Sequence, residues 1–260
     1  VLVFNGEIYN YQELKKELQE AGHTFVSNTD SETLIHGYEE WGESLVERLR
    51  GMYAFAIWDT RKKKLFAARD IFGIKPLYYA QMNGTLMFAS EIKAFMEHPK
   101  FDKVFNEDAL GNYLSFQFVP TNETFFKGVF CLQPGHYFTY ENGELNITRY
   151  FEPNFTGDTE KSFEEIVDDV EAVMKESVAM HKISDVEVAS YLSSGVDSSY
   201  LTYLGQVDRT FTVGFDEGKY SEIQDAKEFA ASINMKNDAK VITPEEYWDR
   251  LSDIQYYMDE

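Results

Sequence analysis

One cysteine, Cys131, stands in 260 residues, which excludes a disulfide framework and points to a reducing, cytoplasmic setting. Positive charge is scarce as well. Lys and Arg total 24 against 45 Asp and Glu, a formal charge of −21, so a surface tracking nucleic-acid phosphates or an anionic membrane is excluded. No apolar run approaches the length of a membrane span, and residues 1–10 have neither a basic n-region nor a cleavage site. Internal repeats and low-complexity tracts are missing too. What is there is 43% hydrophobic and 16% aromatic, a globular composition long enough for one large or two ordinary domains. The chain opens on Val1 inside an apparent strand and ends, over residues 253–260, in an amphipathic piece with no cap or tail. Both ends read as cuts, so an internal fragment of a longer protein is expected.

Residues 1–4 predict a buried strand leading into Asn5-Gly6-Glu7. Asn10 followed by Glu13 has the spacing of a capping box, Tyr11, Leu14 and Leu18 form one stripe, and Gly22 stops the helix. A short strand is expected at residues 24–26, a helix from the polar turn at 27–32, and a helical piece at 44–49. From 52 to 150 the period changes to two. Residues 53–58 pair with 64–68, 77–80 with 86–89 through Asn83-Gly84, and 136–140 with 145–150 through Asn142-Gly143. Helices at 91–97 and 106–115 interrupt these hairpins, so residues 1–152 read as α+β with a largely antiparallel sheet. The polar, aperiodic stretch 153–161 is the expected linker. Beyond it, over 162–260, Phe163, Ile166, Val167, Val170, Met174 and Val178 mark a long amphipathic helix. Strands near 188–192, 210–215 and 240–242 then alternate with helices, as at the start of a parallel α/β sheet.

The stretch 188–203 carries the most chemistry. An apolar strand stops at Ser193, Ser194 and Gly195 and resumes at helical spacing, so small residues and a helix N-terminus offer amides to an anion such as phosphate. From the string alone, a serine-rich turn with Asp197 as a helix cap is the better reading. Asn5-Gly6 at a strand end places a side-chain amide beside an unencumbered N–H, the parts of an oxyanion hole, with the Glu7 carboxylate next to them. A plain Asn-Gly turn is the alternative. Asp30 sits where it holds an ammonium group or caps a helix. Cys131, between Phe130 and Leu132, reads as buried and inert. His23, His36, His98, His136 and His181 show no metal-ligand spacing, so no zinc site is predicted. Arg69, Asp70 and Lys75 read as a structural ion-pair group.

The motifs F-N-G-E-I-Y-N (4–10), D-S-E (30–32), A-R-D-I-F-G-I-K-P-L-Y-Y (68–79), S-E-I-K-A (90–94) and P-G-H-Y (134–137) resemble the class II glutamine amidotransferase domain, one of the N-terminal-nucleophile hydrolases. Followed by S-S-G-V-D-S-S (193–199), F-T-V-G-F (211–215) and Y-S-E-I-Q-D-A (220–226), their order over nearly the whole chain resembles the glutamine-hydrolysing asparagine synthetase family.

That resemblance implies an αββα glutaminase domain over 1–152 and the start of an α/β parallel-sheet ATP-pyrophosphatase domain over 162–260. It further implies a ligase that hydrolyses glutamine with an N-terminal cysteine and passes ammonia to aspartate, activated by ATP as a β-aspartyl-adenylate. Asn5 and Gly6 would hold the oxyanion, and Glu7 and Asp30 would help bind glutamine. Leu192 and Val213 would border the adenine nucleotide, while Ser193, Gly195, Asp197 and Ser198 would cradle pyrophosphate, with Asp197 near Mg²⁺. The family's cysteine would lie upstream of Val1, and later parts of the synthetase site beyond Glu260, so the fragment alone is expected to be inactive. Relatives of this kind allow a homodimer. Where the family loop reads S-G-G-x-D-S, Ser194 replaces a glycine, a position where Cβ crowds a phosphate or demands an ordinary φ. Two other functions stay open at this point: an amidotransferase with a sugar-phosphate or phosphoribosyl acceptor, and a catalytically silent relative that binds nucleotide or partners.

Overall fold

In the computed structural model, which describes residues 1–157, 160–215 and 221–259, the front strand runs over Leu2–Ile8 (β1) and pairs antiparallel with Gly51–Asp59 (β2). β2 continues into Lys64–Arg69 (β3), and His136–Glu141 (β7) and Glu144–Arg149 (β8) complete a five-stranded antiparallel sheet in the order β1-β2-β3-β7-β8. Tyr78–Met82 (β4), Thr85–Ala89 (β5) and Val129–Cys131 (β6) form a second sheet, β5-β4-β6. The hairpins expected from the two Asn-Gly pairs are present, with both residues of each pair at positive φ.

These sheets belong to a unit built on Val1–Phe155, and a second unit is built on Thr156–Met258. In the first, Tyr53, Phe55 and Ile57 of β2 and Phe66 of β3 turn toward Leu14 of helix Tyr11–Glu20 (α1) and Leu34 and Tyr38 of helix Asp30–Trp41 (α2). The alternate residues, Ala54, Ala56, Leu65 and Ala67, face the second sheet, where the three alanines leave room for Leu77 and Tyr79. A third cluster, Met87, Ile92, Phe95 and Val129, covers the far side of β4 and β6 with a 3-10 turn at Ile92–Glu97. Residues 53–57 are therefore buried on both faces of their strand, which hides the usual period-two contrast. Burial of the Tyr53 hydroxyl against Tyr150, 2.8 Å away, pushes its pKa far up, and burial lifts Tyr150 to about 12.

Three local expectations are corrected. Asn10 precedes α1 without capping it, because its side chain is taken by the carbonyl of Arg48 (2.9 Å) and the amide of Arg50 (2.9 Å). Residues 24–26 form no strand. The amides of Val26 (2.8 Å) and Ser27 (2.7 Å) donate to the Glu32 carboxylate instead of a ladder, and the Ser27 hydroxyl with these amides holds the Glu32 pKa down to about 2. The helical pieces at 44–49 and 91–97 are 3-10 turns, Gly42–Glu47 and Ile92–Glu97. The helix expected at 106–115 is Glu107–Phe116 (α3).

In the second unit, helix Phe163–His181 (α4) starts with a complete Ser162/Glu165 capping box. Ala189–Tyr191 (β9), Val196–Gly205 (α5), Arg209–Phe215 (β10), Ile223–Ser232 (α6), Lys236–Ile242 (β11) and Pro244–Met258 (α7) follow. The sheet is parallel, in the order β11-β10-β9. On β10, Thr210, Thr212 and Gly214 are buried while Phe211, Val213 and Phe215 are exposed. The buried hydroxyls are satisfied by Asn237 Nδ2, which donates to Thr210 (3.0 Å) and Thr212 (2.9 Å). Gly214 lies under α6, where a Cβ would come within 2.7 Å of Ile223. Residues 158–159 of the expected linker, Tyr220 of the last motif and Glu260 lie outside the described residues. Among the described residues no helix is long and apolar enough to cross a membrane.

Candidate functional sites

The front site is set by the register of β1. Val1 and Trp58 exchange both backbone hydrogen bonds (2.9 and 2.8 Å), and Tyr9 donates to Arg50 (2.8 Å) at the other end of the same register. Odd residues of β1 therefore bond to β2, and even ones turn their amides to the free edge of the sheet. Ile8 shows this directly, its N–H donating to Asp30 Oδ2 at 3.1 Å. Gly6, two residues back, has its N–H on the same edge. Its φ is +149°, and a Cβ would lie 2.1 Å from the Met52 carbonyl oxygen, so only glycine fits.

Asn5 precedes Gly6 on β1. Its Nδ2 donates to Ser90 Oγ at 3.2 Å, a contact that fixes the amide's orientation. Glu7 is exposed, and Asp30 is half-buried at the first position of α2, with Thr29 as the N-cap. Asn5, Gly6, Glu7 and Asp30 thus gather at the C-terminal end of one edge strand. Ser90 belongs to a motif that sequence reasoning noted without giving it a part, since a serine after a strand carries no signal of its own.

Behind this strand lies a loop whose polar groups are nearly all used internally. Asp70, fully buried, accepts from the amides of Tyr53 (3.2 Å), Phe72 (3.0 Å), Ile74 (3.0 Å) and Lys75 (3.0 Å). Arg69 does the converse, donating to the carbonyls of Lys75 (2.7 Å), Gly73 (2.7 Å) and Leu132 (2.6 Å) and to Cys131 Sγ (3.1 Å). The group is structural, as expected, but it works through backbone hydrogen bonds rather than an ion pair. Cys131 is half-buried and engaged by that guanidinium.

The rear loop lies between β9 and α5. Leu192 is buried, donates to the Phe211 carbonyl (2.9 Å) and has its own carbonyl held by Thr212 Oγ1 (2.7 Å), which pins the loop's entry to β10. Ser193 and Ser198 join hydroxyl to hydroxyl (3.0 Å), and Ser193 N–H donates to Ser198 Oγ (3.2 Å). Ser198 is the third residue of α5, so this contact folds the loop back over the helix N-terminus, with Asp197 exposed beside it. Ser194 sits at φ +62°, so the residue that replaces a glycine keeps the left-handed backbone a glycine favours rather than an ordinary φ. Gly195 has an ordinary φ of −66°, and a Cβ there would meet nothing closer than 3.5 Å. Val213 stands on the exposed face of β10, three residues past the strand partner of Ser190. Thr212, a buried polar residue of β10, carries no sign of this part in the sequence, since the carbonyl it holds lies 20 residues away.

Residues 1–151 match the family model for the glutamine amidotransferase domain, and residues 169–260 match the model for asparagine synthase. All of the chain aligns at 40% identity with an asparagine synthetase (glutamine-hydrolysing) of Bacillus subtilis, strain 168, covering 42% of that protein. A putative asparagine synthetase (glutamine-hydrolysing) of Mycobacterium tuberculosis gives the same figures, 40% identity over the whole chain and 42% of the relative. The chain thus spans about two-fifths of the length of the curated relatives it matches. A solved glutamine phosphoribosylpyrophosphate amidotransferase from B. subtilis, complexed with ADP and GMP, aligns at 19% identity with a TM-score of 0.42, over 92% of this chain and 45% of that one. With its first 151 residues matched by one family model and the asparagine synthase model following on, the chain belongs to the glutamine amidotransferase domain family.

Proposed function

We propose that residues 1–152 form the αββα, N-terminal-nucleophile glutaminase domain of a glutamine-hydrolysing asparagine synthetase, and that residues 162–260, after a linker at 153–161, begin its ATP-pyrophosphatase domain. The observation that carries this reading is the edge of β1: Gly6 N–H faces outward on the edge where Asp30 accepts from Ile8, next to an Asn5 amide oriented by Ser90. Backbone and amide donors preorganised at one point stabilise the oxyanion of amide hydrolysis. Glutamine is bound by Asn5, Gly6, Glu7 and Asp30, the last at the substrate ammonium. The nucleophile is a cysteine upstream of Val1, activated by its own α-amino group.

Ammonia released there is delivered to aspartate, activated with ATP as the β-aspartyl-adenylate. Ser193, Gly195, Asp197 and Ser198 hold the pyrophosphate at the start of α5, where helix amides and the positive dipole end favour an anion. Leu192 and Val213 flank the nucleotide. The donor set fits: two hydroxyls, one carboxylate and a glycine with no side chain between them. Mg²⁺, held at Asp197, would supply charge neutralisation at the departing pyrophosphate. The enzyme is cytoplasmic, with glutamine, aspartate and ATP as substrates and a homodimer as its assembly.

The test uses the complete enzyme. Replacing the upstream cysteine with alanine should abolish glutamine-dependent synthesis and spare ammonia-dependent synthesis, with AMP and pyrophosphate as products. Asn5→Ala should lower glutamine-dependent kcat by about 10²–10³-fold, the usual loss for one oxyanion donor, again sparing ammonia. Glutamine use without AMP would point to another acceptor, and no upstream cysteine and no glutaminase activity to a silent relative. Gly195→Ala separates binding from folding in the rear loop. Its Cβ meets only hydroxyls at ordinary contact distance, Ser193 Oγ at 3.5 Å and Ser198 Oγ at 4.0 Å, so the melting temperature should hold while KM for ATP rises about tenfold or more, equivalent to about 1.4 kcal/mol. An unchanged KM would remove Gly195 from the cradle.

A further inference from the structure

We infer that His23, His36 and Glu39 form a binding site for one divalent transition-metal ion of the zinc class, apart from both sites above. His23 Nδ1 and His36 Nδ1 lie 3.1 Å apart, and Glu39 Oε2 is 3.5 Å from His36 Nδ1. All three ligand atoms fall within 4.8 Å of one another. With metal–nitrogen bonds of about 2.0–2.1 Å, tetrahedral geometry places two ligand nitrogens about 3.3 Å apart, close to the spacing found.

The far nitrogens of both rings decide what stands between the near ones. His23 Nε2 meets Glu40 Oε2 at 3.1 Å and His36 Nε2 meets Glu32 Oε1 at 3.5 Å. Where each Nε2 donates to its carboxylate, each Nδ1 presents a lone pair toward the other. Two lone pairs pointing at each other require a cation or a shared hydrogen between them. Glu39 brings a third electron pair to the same point, which gives a metal its third ligand; its charge would also favour a shared hydrogen, and the response to added metal separates the two. Each ligating imidazole would then be backed by a carboxylate, the arrangement that orients histidine at metal centres. The fourth position is open to water.

The cluster is also held in place before any ion arrives. Gly22, at φ +102°, ends α1 in a Schellman turn, with Gly22 N–H donating to Gln19 (3.0 Å) and His23 N–H to Leu18 (3.0 Å). Glu32, His36, Glu39 and Glu40 share α2, with Glu32 and Glu39 four residues before and three after His36. Phe25 packs against the His36 ring at 4.5 Å, and the His23 and His36 side chains are only 16% and 18% exposed. The ion would tie the end of α1 to α2. Sequence spacing hides this set because its histidines lie thirteen residues apart on two elements and meet only through the fold.

Co²⁺ titrated into chelator-treated protein should bind at one equivalent with the intense visible bands of four-coordinate cobalt, and Zn²⁺ should displace it and raise the melting temperature. His36→Gln and Glu39→Gln should each weaken Co²⁺ binding by more than the roughly tenfold loss expected for Glu40→Gln, which removes only the backing carboxylate. Glu39 is exposed, so Glu39→Gln keeps the fold and reports on ligation alone. Absence of saturable binding, or binding unchanged in Glu39→Gln and His36→Gln, overturns the site, as does a shared hydrogen shown by melting that follows pH and ignores metal.

Discussion

Gly6→Ala should prevent the first unit from folding at ordinary temperature, with a destabilisation of more than about 4 kcal/mol, the range reached only by named, severe mechanisms. Two of these coincide at Gly6. The alanine Cβ would sit 2.1 Å from the Met52 carbonyl oxygen and 2.7 Å from the Tyr53 Cα, both main-chain atoms that cannot swing aside, and φ is +149°. Two other glycines divide the effects. Gly51 has an ordinary φ but the same close approach, a Cβ 2.1 Å from the Glu7 carbonyl, so Gly51→Ala tests the clash alone. Gly22 has a φ of +102° with nothing within 4 Å, so Gly22→Ala tests backbone strain alone and should cost about 1–2 kcal/mol. Denaturant unfolding followed by tryptophan fluorescence orders the three. A Gly6→Ala protein that melts like the parent would mean that β1 and β2 do not pack this closely, and the outward Gly6 N–H would lose its basis.

Strand pairing was legible where residues signal locally. The Asn83-Gly84 and Asn142-Gly143 turns set two hairpins, and the small residues 193–195 set the loop between β9 and α5. Where a residue is claimed by a distant partner, the string misleads. Asn10 looks like a cap for the helix after it, yet Arg48 and Arg50, brought near by the β1–β2 pairing, take both ends of its amide. Residues 24–26 look like a strand, yet Glu32 supplies the acceptors a neighbouring strand would have offered. The candidate residues followed the same division. Asn5-Gly6 and Ser193 to Gly195 announced themselves through residue types that only certain geometries require. Ser90, Thr212 and the His23–His36 pair had no such mark, because their partners lie 85, 20 and 13 residues away and the relation exists only once the sheets and helices have packed.

Asp70→Ala should be the most damaging change away from β1. Its carboxylate is fully buried and gathers four amides, two on each oxygen: Phe72 and Ile74 on Oδ1, Tyr53 and Lys75 on Oδ2. Removing it leaves four buried or half-buried donors unmatched, each worth about 1–3 kcal/mol, so a loss of at least about 4 kcal/mol is expected. Asp70→Asn distinguishes a lost carboxylate from a lost shape. However the amide is turned, its NH₂ faces two backbone donors, so about half of the alanine effect should persist despite nearly identical volume. The Arg69 guanidinium, held by three carbonyls of the same region, would keep its contacts in both variants. Hydrogen exchange should accordingly speed at Phe72, Ile74 and Lys75 before it speeds in the outer hairpin of β7 and β8. If Asp70→Asn unfolds at the parent's denaturant midpoint and those amides stay protected, the carboxylate is not what organises the loop.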